Sequence, residues 1–203
     1  MIKDGFSYVT DICKDVILEI RYYSTYNFVG ERIDGYKAPF AILTNEACNA
    51  LKNAQDYFKS LGYVMKIYDC YRPKKAVDHF VRWASDEKDI KMKECFYPNI
   101  DKSRLFIDGF ISKHSGHSRE STVDLTLVNM KTGKEIDMGG VFDYFGELSH
   151  PSYKGITKEQ YDNRMLLQEG MKKNGFHLIT TEWWHFTLDN EPYKDEYFDF
   201  DIE

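Results

Sequence analysis

The spacing of apolar residues changes several times along the chain, and each change marks an element. Between Thr44 and Gly62, Ala47, Leu51, Ala54 and Phe58 recur at helical spacing. Thr44 can cap that helix, Glu46 suits its positive end and Gly62 can close it. Tyr63 to Tyr68 is a β-rich run that ends at D-C-Y-R-P. Pro73 suits the first position of a second helix carrying Ala76, Val77, Phe80 and Trp83. Arg72 then falls at a strand-to-helix turn. The stretch from Ser85 to Arg104 is charged and aperiodic, which predicts a long surface loop. From Ser121 to Leu127 the period is two. Val123, Leu125 and Leu127 take one face, and Thr122, Asp124 and Thr126 take the other.

Thr157-Lys-Glu-Gln160 is a capping box opening a helix that carries Tyr161, Leu167 and Met171, and Asn174-Gly175 stops it. Phe176 to Ile179 begins a strand region leading into T-E-W-W-H-F-T-L, whose β-branched and aromatic content favours a strand. On that strand Trp183, His185 and Thr187 share a face, and Glu182 sits at its entrance or on a bulge. Helices between short strands, with β-type runs gathered in the C-terminal half, predict an α+β fold. The expectation is a single domain over residues 1–203, with a central, mostly antiparallel sheet flanked by helices.

Composition narrows the function. The chain has 203 residues, 42% hydrophobic and 16% aromatic, enough for a real core. A net charge of −6 leaves no basic surplus for phosphates, which excludes a nucleic-acid binder. No run approaches the roughly 20 apolar residues of a spanning helix, and no basic-then-apolar leader opens the chain. No membrane partner is expected and the expected location is cytoplasmic, with a homo-oligomer left open. Cys13, Cys48, Cys70 and Cys95 form no C-x-x-C pair. A zinc ribbon, a redox motif and a disulfide framework are therefore unexpected, and all four read as small buried thiols.

The chemistry lies in three places. S-G-H-S-R-E-S-T-V-D-L-T-L carries His117 and Asp124, and T-E-W-W-H-F carries Glu182 and His185. Alone, H-x6-D describes a loop histidine and a surface aspartate more often than a metal site, and W-W-H alone describes an aromatic core patch. Together they supply two imidazoles and a carboxylate, the ligand types zinc takes in hydrolases with a fourth position open. Glu182 is the spare carboxylate needed to move a water's protons, and Arg72 the cation that steadies a developing oxyanion. The pattern reads as metal-assisted hydrolysis in a cleft on the sheet.

Y-D-C-Y-R-P-K-K-A, S-G-H-S-R-E-S-T-V-D-L-T-L, M-G-G-V-F-D and G-F-H-L-I-T-T-E-W-W-H-F, in that order, resemble the D-alanyl-D-alanine dipeptidases of vancomycin-resistant bacteria, the VanX-like zinc peptidases. The resemblance runs from Y-Y-S-T-Y-N-F-V-G to Y-F-D-F. It implies one Zn2+ per chain held by His117, Asp124 and His185, with Glu182 as general base and acid. It further implies that Arg72 polarises the scissile carbonyl and that Tyr22, Ser115 and Asp143 contact a small dipeptide substrate. A D,D-carboxypeptidase acting on peptidoglycan precursors and a catalytically decayed zinc- or peptide-binding homologue are the alternatives. One departure stands out: the family pattern S-x-H-S-R-G-x-x-x-D has glycine where this chain has Glu120. A glycine there serves a backbone with φ > 0, which glutamate adopts only with strain, and Glu120 also brings a negative charge near the ligands. His114 and His150 are spare.

Overall fold

The computed structural model describes residues 2–203. In chain order the elements are β1 (Phe6–Tyr8), α1 (Val9–Ile12), β2 (Ile17–Leu18), β3 (Ile42–Thr44), α2 (Asn45–Ser60), β4 (Tyr63–Asp69), α3 (Lys74–Ser85), α4 (Lys93–Phe96), β5 (Thr122–Asn129), α5 (Lys158–Lys173), β6 (Phe176–Leu178) and β7 (His185–Leu188). The main sheet has the order β2-β4-β5-β7-β6. Its β2–β4 pair is parallel and its other three pairs are antiparallel, so the fold is α+β with a mixed, mostly antiparallel sheet. β1 and β3 form a separate antiparallel pair.

The helix ends follow from their caps. The Thr44 hydroxyl accepts from the Ala47 N–H at 3.2 Å, satisfying one of the first turn's free donors, and Gly62 turns the chain out at φ 89°. Thr157 and Gln160 make the reciprocal capping box at the start of α5. Pro73 stands one place before α3, as its cap residue, rather than at its first helical position. Helices α2 and α5 approach closely because Gly170 has no side chain. A Cβ there would meet Phe58 of α2 at 2.3 Å.

Strand β5 lies at the centre of the sheet, so both of its faces are covered. The Thr122, Asp124 and Thr126 side is as buried as the Val123, Leu125 and Leu127 side. Alternation thus separates polar from apolar, not wet from dry. Buried Thr122 is satisfied by Thr187 Oγ1 at 2.9 Å across the β5–β7 pair.

Three further expectations are corrected. Strand β7 begins at His185, and Trp183 and Trp184 lie in the turn before it. Register explains this: Leu178 pairs with Phe186, so the chain must reverse within residues 179–184. The Trp183 N–H goes to the Ser149 carbonyl at 2.9 Å instead of into the sheet.

Residues 85–104 are not a plain surface loop. They form α4 and a short 3₁₀ turn at Lys102–Arg104, and they bury Phe96, Tyr97 and Lys102. Charge misleads there. The Lys102 ammonium donates to the carbonyls of Asp86 and Asp89 at 2.7 Å each and lies 4.0 Å from the centre of the Trp83 ring. Cys95 is exposed, because Phe96 takes the buried side of α4, whereas Cys13, Cys48 and Cys70 are buried. All four thiols are free.

Candidate metal centre

Three strand positions in register build the site. Asp69 of β4 is opposite Asp124 of β5, and Asp124 is opposite His185 of β7. Three neighbouring strands therefore present their polar residues at one level of the sheet. His117 comes from a 3₁₀ turn at Gly116–Arg119, which the Ser115 hydroxyl starts by accepting the His117 N–H at 3.2 Å. That turn is tied to the β4–α3 connection in two directions. The Ser118 hydroxyl donates to the Arg72 carbonyl at 2.8 Å, and the Arg72 N–H donates to the His117 carbonyl at 3.3 Å. Arg119 grips Glu191 through two bonds of 2.9 Å, which ties the turn to the C-terminal segment.

Ligand-type atoms of His117, Asp124 and His185 all lie within 4.8 Å of one another. His117 Nε2 is 3.1 Å from Asp124 Oδ2 and 3.2 Å from His185 Nδ1, and His185 Nδ1 is 3.1 Å from Asp124 Oδ1. Zinc–ligand bonds of about 2.0–2.1 Å at tetrahedral angles place ligand atoms roughly 3.3 Å apart. The edges match that spacing.

Protonation supports the same reading. His117 Nδ1 is 2.6 Å from the Cys70 carbonyl, which can only accept, so that nitrogen carries a hydrogen and Nε2 is the atom turned toward Asp124. Asp124 Oδ1 is buried without a hydrogen-bond partner among the described residues. Two imidazole nitrogens and a carboxylate converging on one point require a cation or a proton between them. A divalent metal fits this donor set.

The charges agree. Burial disfavours the Asp124 anion, but His117 and His185 outweigh it and hold that carboxyl well below the usual range. Burial pulls His185 down, yet the Asp124 carboxylate 3.1 Å away outweighs it and its pKa is raised. Glu182 Oε2 is 3.5 Å from His185 Nδ1, ahead of β7, where the strand reading places it. Burial raises the Glu182 pKa against the pull of His185.

Arg72 is fixed by a residue that the sequence reading passed over. Asp69 Oδ2 accepts from Arg72 Nε at 3.0 Å and lies 2.9 Å from Nη2, while Asp69 Oδ1 accepts from the Tyr36 hydroxyl at 2.7 Å. The guanidinium lies 4.8 Å from the centre of the Tyr22 ring. The signal for Asp69 was its position at the end of the β4 run, beside R-P. The Tyr22 hydroxyl donates to Asp143 Oδ2 at 2.8 Å, and burial and then the Asp124 charge push the Asp143 pKa well up.

One cavity of about 280 Å³ is lined by Tyr22, Arg72, Ser115, His117, Asp124, Asp143, Glu182 and His185. All eight candidate residues therefore meet in one place. His114 lines it too, while His150 faces a neighbouring cavity.

Glu120 adopts φ 64° in the left-handed region, the conformation that the glycine of the pattern would supply. Its carboxyl does not load the metal cluster with charge, which corrects that expectation. The titratable groups it couples to are Lys3 and Tyr71.

An α+β fold with a buried His-Asp-His cluster beside a carboxylate and an arginine defines a protein with a candidate site for a divalent metal, of the kind used in hydrolysis. Residues 3–203 match the family model of the D-Ala-D-Ala dipeptidases, a peptidase family, and the chain belongs to that family. It is 40% identical to a D-alanyl-D-alanine dipeptidase of Enterococcus faecalis over 98% of this chain and 99% of that one. The Streptomyces coelicolor dipeptidase is 38% identical over 97% of this chain and 98% of its own, and the Escherichia coli K12 dipeptidase 31% over 87% and 81%. A zinc-bound mutant of the vancomycin-resistance D,D-pentapeptidase VanY aligns over 78% of both chains at 12% identity, with a TM-score of 0.45. Family membership points to activity on D-Ala-D-Ala, as dipeptidase or carboxypeptidase.

Proposed function

We propose that this protein is a zinc-dependent dipeptidase that hydrolyses D-Ala-D-Ala to two D-alanines. The observation that carries the reading is the convergence of His117 Nε2, His185 Nδ1 and the Asp124 carboxylate at zinc-ligand spacing, with Glu182 beside them. Zinc held by those three side chains would supply a Lewis acid and bring a water's pKa toward about 7.

The protein's own groups do the rest. Glu182 takes a proton from the attacking water and returns it to the leaving nitrogen as the C–N bond breaks. Arg72, braced by Asp69 and Tyr22, donates to the carbonyl oxygen as charge grows there. The Asp69 contacts keep the guanidinium in place before the reaction, so little of its binding energy goes into ordering it.

A dipeptide carries an ammonium and a carboxylate. Asp143 offers its buried carboxyl to the ammonium, and the Tyr22 hydroxyl, donating to Oδ2 at 2.8 Å, orients it. Ser115 and neighbouring N–H groups take the carboxylate. The small volume of the cavity, about 280 Å³, suits a dipeptide better than a longer carboxypeptidase precursor. Glu182 and Arg72 are the groups that a decayed, binding-only homologue has no use for.

The test is release of free D-alanine from D-Ala-D-Ala by zinc-loaded protein, compared with a pentapeptide ending in the same dipeptide. Turnover confined to the dipeptide is expected. Turnover of the pentapeptide alone would make the protein a carboxypeptidase, and zinc binding without turnover of either would make it a binding protein.

A further inference from the structure

A second cavity, of about 460 Å³, lies directly against the first. The two share Gly109, Phe110, Phe145, Thr181 and Glu182, so these residues form the wall where the cavities meet, and the proposed general base belongs to it. Beyond the wall Ile100, Tyr144 and Trp184 stand beside Asp108, Glu147, Ser149 and His150, and more of the cavity's lining surface is apolar than polar.

The wall has two unlike halves. Phe145 is buried, its N–H donates to the Phe96 carbonyl at 2.7 Å, and its ring centre lies 5.1 Å from that of Phe28 and 6.0 Å from that of Tyr97. Phe110 is carried by a connecting segment and only partly buried. It lies stacked on Phe145 at 5.4 Å with 21° between the planes, its only ring–ring contact among the described residues. Gly109 before it has φ +79°, and no atom stands within 4 Å of where its Cβ would be. The core fixes one ring, and a segment with a positive-φ glycine and free space beside it carries the other.

We propose that Phe110, stacked on Phe145, sets the length of peptide the site accepts, and that the apolar cavity behind it is a latent subsite for the apolar side chain of a third residue. The inference rests on the dipeptidase reading above. With Phe110 in place, a chain longer than a dipeptide meets two aromatic faces beside Glu182. With the ring removed, the two cavities join and the added residue gains an apolar surface. The chemistry is unchanged: the same C–N bond breaks, water's oxygen goes to the carbonyl carbon, and its proton reaches the leaving nitrogen through Glu182.

The experiment compares D-Ala-D-Ala with tripeptides that extend it by D-leucine at either end, using zinc-loaded wild type, Phe110→Ala and Phe110→Leu. Wild type is expected to cleave the dipeptide and neither tripeptide. In Phe110→Ala the tripeptide-to-dipeptide ratio of kcat/KM should rise by at least about tenfold for one extension, the scale on which apolar contacts discriminate. Phe110→Leu, which keeps an apolar body there, should fall between. Wild type that already cleaves a tripeptide as well as the dipeptide overturns the proposal. So does an unmoved ratio in either variant that still cleaves the dipeptide. Absence of dipeptide turnover by wild type would instead remove the dipeptidase reading itself.

Discussion

Asp124 and Glu120 are acidic residues four positions apart and equally out of solvent, at 2% and 0% exposure, yet the protein treats them in opposite ways. Asp124 faces two imidazoles, and their attraction exceeds the cost of burial, so it stays ionised. Neither oxygen of Glu120 has a hydrogen-bond partner among the described residues, and burial pushes its pKa up to about 9. Burial alone makes a neutral acid, and only a designed set of partners keeps a buried carboxylate charged. A divalent cation is drawn to the first arrangement and has nothing to gain from the second.

The comparison can be broken most severely at Asp124. In Asp124→Asn zinc affinity should collapse and D-alanine release should fall to background, as equilibrium dialysis and a coupled D-alanine assay would report. Glu120→Gln should leave zinc affinity where it was, since the carboxyl couples to Lys3 and Tyr71 rather than to the ligands. A matching loss of zinc in both variants would erase the distinction.

Glu182→Ala should lower turnover by about 10²–10⁴ while keeping the metal. If zinc leaves with the glutamate, that residue is a ligand and not the base. Asp69→Asn, which weakens the brace on Arg72, should cost roughly tenfold to a hundredfold in activity. An unchanged rate there would mean that Asp124 and the rings of Tyr22 and Phe80 suffice to hold Arg72 in place.

The smallest effect concerns stability. Glu120→Gly relieves both the positive φ and the unpartnered buried acid, so thermal unfolding should move up by about 2–6 °C, or about 1–2 kcal/mol. Because the folded pKa of about 9 lies above the ordinary 4.5, Glu120 favours the fold fully only below pH about 4.5. That contribution is lost as pH rises toward 9, so the advantage of the glycine variant should widen across this window. A gain that is flat with pH would mean the carboxyl is not buried as described.

How much of this was legible depended on whether a residue's role is local. Thr44, the Thr157–Gln160 box and Gly62 act within a turn of helix, and they mark α2 and α5 where the spacing predicts them. His117, Asp124, Glu182 and His185 were identifiable because few other roles require those residue types in that pattern. Asp69 was not, because its value comes from meeting Arg72 and Tyr36, and Tyr36 lies 33 residues away in the chain. The Phe110–Phe145 wall was hidden for the same reason, as two phenylalanines 35 residues apart read as ordinary core until the fold stacks them. The W-W turn was missed because strand propensity carries no register, and the pairing of Leu178 with Phe186 decides where the chain must reverse.

X-ray absorption at the zinc edge of protein loaded with one equivalent of metal bears most directly on the central claim. His117, Asp124 and His185 predict only nitrogen and oxygen neighbours at about 2.0–2.1 Å, with the imidazole scattering of two histidines and a single zinc per chain. Sulfur at about 2.3 Å, from any of the four free cysteines, or a spectrum unchanged by His117→Ala and His185→Ala, would contradict it.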